Sequence, residues 1–270
     1  MHFGNTVQDT VYPQFVLPMH SGNFSAINRS PDLSAVLMEG IYMRMRKKKH
    51  LDERIKDCAN VLVYRSDERD YSSSEDALII DTAEVFGNTN PVELEVGCGK
   101  GAFIVQLALR NPDTNYIAVE RSANVLVTAA ESAISAGAHN IYFVNAQAEY
   151  LPRLIKPHTI QRIYLNFSCP FPKNKYAAHR LTHLRFLDIY RELLAPDGDI
   201  HQKTDNKPFF EYSLWQYEHG GYEVSEVTFD LAGSGFQGNI MTEYESRFTD
   251  LGVPICRAVA KPKLRSSSGK

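Results

Sequence analysis

Cysteine is scarce. Cys58, Cys98, Cys169 and Cys256 are the only four in 270 residues, and no two form a C-x-x-C pair. That speaks against a cysteine zinc site or a disulfide framework and leaves free thiols in a reducing compartment. His179 and His183 stand four apart and could share a helix face, but no third ligand accompanies them, so no metal site is expected. Long apolar runs are missing too, and the first residues show no basic stretch followed by an apolar one. A cytoplasmic protein with no membrane partner is therefore expected. A net charge of -3 gives no global pull on nucleic acid, so any such partner must be held by local basic patches. Three exist: "RMRKKK" at Arg44 to Lys49, "KNKYAAHR" at Lys173 to Arg180, and "KPKLR" near the end.

What is present is an alternating pattern. Residues 1–42 mix Pro, Gly, Asn and Ser with no sustained period, which suggests a flexible extension, and translation from Met43 would leave a self-sufficient domain. From about residue 91, β-rich runs ("VELEV", "NYIAVE", "NIYFVNA", "RIYLNF") alternate with helical spacing over Ala102 to Arg110 and Ala123 to Ala136; Ser122 caps the latter and Gly137 stops it. "RFLDIYRELLAP" predicts a helix, "DIHQKT" a strand and "KPFFEYSLWQYEHGG" another helix. "YEVSEVTFDL" and "PICRAVAKP" suit an antiparallel pair that closes the sheet. The order implies βαβ units and an α/β, Rossmann-like domain over 43–261 with helices on both faces of a mostly parallel sheet. A disordered basic tail is expected over 262–270.

"LEVGCGKGAF" sets Gly97, Gly99 and Gly101 between a strand and a helix, where glycines let backbone amides approach a ligand. The spacing is not the dinucleotide G-x-G-x-x-G, and Glu95 before it would repel a pyrophosphate. Glu95 could instead face the cationic end of an amino-acid-bearing sulfonium. Glu120, at the end of the next strand, could accept both ribose hydroxyls. Together these read as an S-adenosylmethionine site. Gln147, in "NAQAE", is the polar side chain available to the adenine, or a simple surface loop residue.

Ligands sit at the carboxyl ends of parallel strands, so Ser168-Cys169-Pro170-Phe171 should face the methyl group. The residues alone leave three chemistries open there: a Cys169 nucleophile for pyrimidine methylation, an imitation of the amino-methylating S-P-P-Y turn, or a variant of something else.

"YLNFSCPFPK", "RLTH", "IHQKTDN", "FEYSL", "GNIMTEYE" and "LGVPI", in this order, resemble the bacterial tRNA (guanine-N7-)-methyltransferase family, from "MRMR" at Met43 to about Lys261. The resemblance implies a class I methyltransferase with a seven-stranded sheet and an antiparallel C-terminal strand. It implies S-adenosylmethionine as cofactor, and tRNA as partner with a variable-loop guanine as target; a monomer or homodimer fits equally. It places Glu95, Gly97, Gly99, Glu120 and Gln147 at cofactor positions and Lys173, Asp205, Thr242, Glu243, Tyr244 and Glu245 at guanine or tRNA positions. Lys175, His179 and Arg180 fall in its RNA-contacting basic run. The family's turn reads N-F-S-D-P-W-P-K, so Cys169 replaces an aspartate and Phe171 a tryptophan; Gln147 also replaces an aspartate, and the basic run is thinned. Cys169 thus stands at the family's catalytic position without its charge, which implies reduced activity or a catalytically weakened binding homologue.

Guanine N7 carries a lone pair and needs no deprotonation, so a cysteine nucleophile is unnecessary. Carboxylates suit the donors of the guanine Watson-Crick edge, and Asp205 and Glu245 are the candidates. Their plain alternatives are a helix cap for Asp205 and a solvated helix residue for Glu245.

Overall fold

A computed structural model of the chain describes residues 49–63 and 79–263. The extension expected over 1–42, the "RMRKKK" run up to residue 48 and the tail from residue 264 lie outside them.

The described chain opens with helix α1 (Leu51–Asp57), strand β1 (Leu62–Val63) and helix α2 (Thr82–Phe86). Strand β2 (Val92–Val96), helix α3 (Ala102–Arg110), strand β3 (Asn115–Val119), helix α4 (Ala123–Ala136) and strand β4 (Ile141–Val144) follow in strict alternation. Next come the short α5 (Leu151–Leu154), β5 (Ile160–Asn166), α6 (Leu184–Leu193), β6 (Leu194–Thr204) and α7 (Lys207–His219). β7 (Tyr222–Thr228), α8 (Glu243–Asp250) and β8 (Cys256–Pro262) close the sequence. Among the described residues no helix is long and apolar enough to cross a membrane.

All eight strands form one sheet in the order β1-β4-β3-β2-β5-β6-β8-β7. Pairings are parallel from β1 through β6, and β8 runs antiparallel to both β6 and β7. The expected count of seven is exceeded by β1, whose Leu62 and Val63 pair with Phe143 and Val144. Two residues are too few to carry a period. The strand after "RELLAP" also begins earlier than "DIHQKT" implied. Leu194 is already extended, and beyond it Pro196 holds Ala195 away from helical geometry and cannot continue the helix. Pro262 belongs to β8 and Lys263 N donates to Gly221 O at 3.0 Å, so the first two residues of the tail expected over 262–270 are instead paired with the sheet.

Side chains alternate across each strand, which assigns the two faces. Val92, Leu94, Val96, Ile163 and Leu165 pack with Phe186, Leu187 and Tyr190 of α6 in one core. Tyr116, Ala118 and Phe143 point the other way, onto Ile104 of α3 and Leu126, Ala129 and Ala130 of α4. The second face also carries Glu93 and Glu95 of β2, Arg162, Tyr164 and Asn166 of β5, and His201 and Lys203 of β6. Both layers are covered, as a parallel sheet requires. The chain progresses outward from β2 in both directions, through β3 and β4 on one side and β5 and β6 on the other. The order therefore reverses between β2 and β5, and a crevice opens where their carboxyl ends diverge.

Candidate active site

The loop after β2 lines that crevice. Gly97 and Gly99 have φ of 82° and 57°, in the left-handed region, and the amides of Gly97 and Cys98 donate to Val119 O at 2.8 and 3.0 Å, tying the loop to β3. Gly101 (φ 80°) opens α3, and a Cβ there would lie 2.9 Å from the Ala129 Cβ of α4. Close approach thus dictates Gly101, while left-handed backbone geometry favours glycine at 97 and 99, and the loop leads directly into the N-terminus of α3.

Glu95, at the end of β2, is 2% exposed. Asn166 Nδ2 donates to its Oε1 at 3.0 Å, while its Oε2 is buried with no partner. Burial pushes this carboxyl up to about 7; the Asn166 hydrogen bond and the Lys203 charge work against that, and Glu120 adds to it. A half-satisfied buried acid facing a glycine loop suits an ammonium group, which would supply the missing donors and favour the ionised form. The residues present thus fit S-adenosylmethionine. Glu120 is half-buried at the end of β3, with one oxygen accepting from Ser122 N at 2.9 Å. Asn145 Nδ2 donates to the carbonyls of Glu120 and Arg121 at 2.9 and 3.0 Å, joining the ends of β3 and β4. Gln147 lies just beyond, half-buried and extended, at the start of the 3-10 turn Ala148–Tyr150.

Across the crevice β5 ends in a strained turn. Phe167 and Phe171 have φ of 50° and 42°, which bulky side chains rarely adopt, and they bracket Ser168, Cys169 and Pro170. The surroundings hold this geometry. Phe167 N donates to Lys203 O at 2.8 Å, and the Phe167 ring lies 4.9 Å from that of Tyr244. Arg180, in the basic run assigned to RNA, is buried: its Nε donates to Pro170 O at 2.9 Å, its Nη2 to Phe171 O at 3.0 Å, and its guanidinium lies 4.2 Å over the Tyr212 ring. Its donors grip the turn. Lys173, Lys175 and His179, by contrast, are exposed around the 3-10 turn Asn174–His179. Cys169 is half-buried, and burial pushes its thiol up against the opposing pull of the Phe171 amide and the Arg121 charge. Ser168 Oγ is buried without a partner.

The third side is built by "GNIMTEYE". Thr242 caps α8, its hydroxyl accepting from Glu245 N at 3.1 Å. T-x-x-E is the capping-box pattern, in which the glutamate returns to the cap amide. Glu245 instead turns inward and is 1% exposed: Lys203 Nζ donates to Oε2 at 2.7 Å and Asn239 Nδ2 to Oε1 at 2.6 Å. It is not a solvated helix residue. Nor is Asp205 the helix cap, since Asn206 caps α7 by accepting from Phe209 N at 2.9 Å. Asp205 is half-buried beside Tyr244, whose phenol is raised first by burial and then by the Asp205 and Cys169 side chains, with Arg247 opposing. Tyr244 thus packs against Phe167, within electrostatic reach of Asp205 and Cys169. Glu243 opens α8.

Lys203, Asn166 and Asn239 were not singled out from the sequence. Alternation in "IHQKT" puts Lys203 on the face of Glu95, and its register partner is Asn166. Below them a cavity of about 330 Å³ is lined by a self-satisfied network in which Tyr164 OH donates to Glu93 at 2.9 Å and Arg162 to Asp199 at 2.7 Å.

Residues 89–258 match the family described as "Putative methyltransferase". The chain is 44% identical over 216 residues to the tRNA (guanine-N(7)-)-methyltransferase of Bacillus velezensis, covering 80% of this chain and 95% of that one. It is 42% identical to the Bacillus subtilis protein of that description (80% and 97%) and 47% identical to that of Brevibacillus brevis (66% and 83%). Among solved structures, an antibiotic-related methyltransferase superposes with a TM-score of 0.50 at 15% identity, covering 75% of this chain and 96% of that one. The 16S rRNA methyltransferase KamB does so at 0.50 and 14%, over 68% and 95%. At such identities they support the fold alone. Sheet, glycine loop and paired strand-end carboxylates, with the family match, define a class I S-adenosylmethionine-dependent methyltransferase. Within that class the chain belongs to the tRNA (guanine-N(7)-)-methyltransferase family.

Proposed function

We propose that this chain transfers a methyl group from S-adenosylmethionine to N7 of a guanine in tRNA, with the variable-loop guanine as target. The observation that carries this reading is the juxtaposition of Glu95, buried and lacking one partner at the end of β2, with the turn Ser168–Phe171 at the end of adjacent β5. When bound, S-adenosylmethionine supplies an electrophilic methyl group. Glu95 holds the ammonium end, Glu120 the ribose hydroxyls and Gln147 the adenine, while Gly97 and Gly99, without side chains, let the cofactor approach the loop backbone. Guanine N7 needs no base, so the substrate side has only to orient the ring and support its developing positive charge.

We assign Asp205, half-buried near Tyr244, to guanine N1-H and the exocyclic amine, and the Tyr244 ring to a base taken out of its stack. Glu245 acts from behind, its two oxygens engaged by Lys203 and Asn239. Lys173, Lys175 and His179 face solvent and can meet phosphates; Arg180 preserves the turn from within.

A second reading, a binding homologue with weakened catalysis, is favoured by one observation. Cys169 stands where the family motif has a carboxylate, and burial pushes its thiol further from ionisation. The same observation counts against a thiolate nucleophile and hence against pyrimidine methylation. Methyl transfer to unmodified tRNA followed by nucleoside analysis separates these outcomes. 7-Methylguanosine supports the proposal, a 5-methylpyrimidine replaces it, and cofactor binding without product selects the weakened homologue.

A further inference from the structure

Lys203 is buried on β6 beneath the crevice and lines the cavity of about 330 Å³, with its ammonium turned to protein acceptors. Its Nζ donates to Glu245 Oε2 at 2.7 Å, Asn239 Oδ1 at 3.0 Å and Ile240 O at 3.1 Å, using all three ammonium protons. The ammonium also lies 5.3 Å from the Phe103 ring centroid and 5.8 Å from that of Phe167. All three acceptors belong to the segment that carries Thr242 and Tyr244, whereas the Lys203 carbonyl accepts from Phe167 N. One residue thus ties the start of the methyl-facing turn and the guanine-side segment to the same strand. Glu245 answers with its other oxygen, which accepts from Asn239 Nδ2, so the anchor is bracketed on both sides.

We propose that Lys203 is a positioning residue for the RNA substrate: through Glu245 and Asn239 it fixes the Thr242–Tyr244 segment against Phe167, setting the place of the target base without touching it. The inference rests on the proposed function. It separates two jobs on the same sheet face. Glu95 and Asn166 serve the cofactor; Lys203 and Glu245, one strand further out, serve the base. Loss of the anchor should therefore be felt in substrate binding before cofactor binding.

The test is a double-variant cycle of Lys203→Met and Glu245→Gln, read as tRNA affinity, KM for tRNA, kcat and cofactor affinity. Removing one member of a buried ion pair leaves the other uncompensated, whereas neutralising both is often tolerated, so the double variant is the one expected to fold. Each folded variant should raise KM and Kd for tRNA about tenfold, the range of a lost charged hydrogen bond, with a smaller loss of cofactor affinity where Lys203 is replaced, because its charge also favours the ionised Glu95. The double variant should resemble the singles rather than their product, because both act through one contact. A folded double variant with wild-type tRNA affinity and a lowered melting temperature would reduce Lys203 to a structural residue and overturn the inference. So would a loss confined to cofactor affinity. Wild-type protein that neither binds nor methylates tRNA would overturn the proposed function as well, which distinguishes the two failures.

Discussion

Asn166 Nδ2 donates to Glu95 Oε1 at 3.0 Å, from β5 across to neighbouring β2, and leaves Oε2 of that buried carboxylate without a donor. The protein fixes the acid and stops short of satisfying it. In the ligand-free chain this is a defect, and with a cationic ligand it becomes a binding device.

The defect has a measurable sign. The Glu95 carboxyl rises from an ordinary 4.5 to about 7 in the folded chain, so between these values the folded state holds more protons than the unfolded one. Stability contributed at this site is therefore present at low pH and is lost as pH rises through that window. Glu95→Gln should raise the melting temperature of the ligand-free protein at pH 8 and make no difference below about pH 4.5. The same variant should weaken S-adenosylmethionine binding about ten- to a hundredfold. Equal melting temperatures at pH 8 would contradict the assigned burial penalty.

Cofactor affinity should itself depend on pH. An ammonium binds the ionised carboxylate, so affinity should fall as pH drops below 7, by up to about tenfold per unit. Calorimetry between pH 5.5 and 7.5 should show this slope in the wild type and its loss in Glu95→Gln. A flat wild-type profile would separate Glu95 from the ammonium.

Exposed and buried members of the basic run should behave differently. Lys173→Ala and Lys175→Ala should each lower the salt slope of tRNA binding by roughly 0.7–0.9 if each meets one phosphate. Arg180→Lys keeps the charge but loses the two-pronged grip on Pro170 O and Phe171 O. It should lower kcat and leave the salt slope unchanged. A fall in slope for Arg180→Lys would return that residue to the RNA-contacting set.

Cys169→Asp restores the charge that the family motif carries and should raise the transfer rate about ten- to a hundredfold if the carboxylate supports the developing cation. Cys169→Ser should keep the wild-type rate. Abolished transfer in the serine variant, with a covalent RNA adduct in the wild type, would reinstate the cysteine nucleophile.

The parts legible in sequence were those encoded locally. Helices over Ala102–Arg110 and Ala123–Ala136 coincide with their periodic spans, and Gly137 stops the second in the left-handed conformation; Ser122 stands at its N-cap position but makes no side-chain capping bond, so that part of the expectation fails. The glycine loop and its flanking acids lie within one βαβ unit. What stayed hidden depends on distant partners. Glu245 looks like a capping-box glutamate until Lys203, 42 positions upstream, pulls it inward. Arg180 looks like a surface base because a basic run carries no mark of the carbonyls it bonds nine and ten residues before it. The Asp205 cap was displaced by Asn206, a choice between two adjacent good capping residues that only backbone geometry makes.

The central claim concerns one atom, guanine N7, and a tRNA transcript made with 7-deazaguanosine in place of guanosine exchanges that nitrogen for C–H at every guanosine and so removes its lone pair. With S-adenosylmethionine and the wild-type chain, the guanosine transcript should acquire 7-methylguanosine and the deaza transcript no methyl group, while both bind with similar affinity. Methyl incorporation into the deaza transcript, or none into either, would contradict the account.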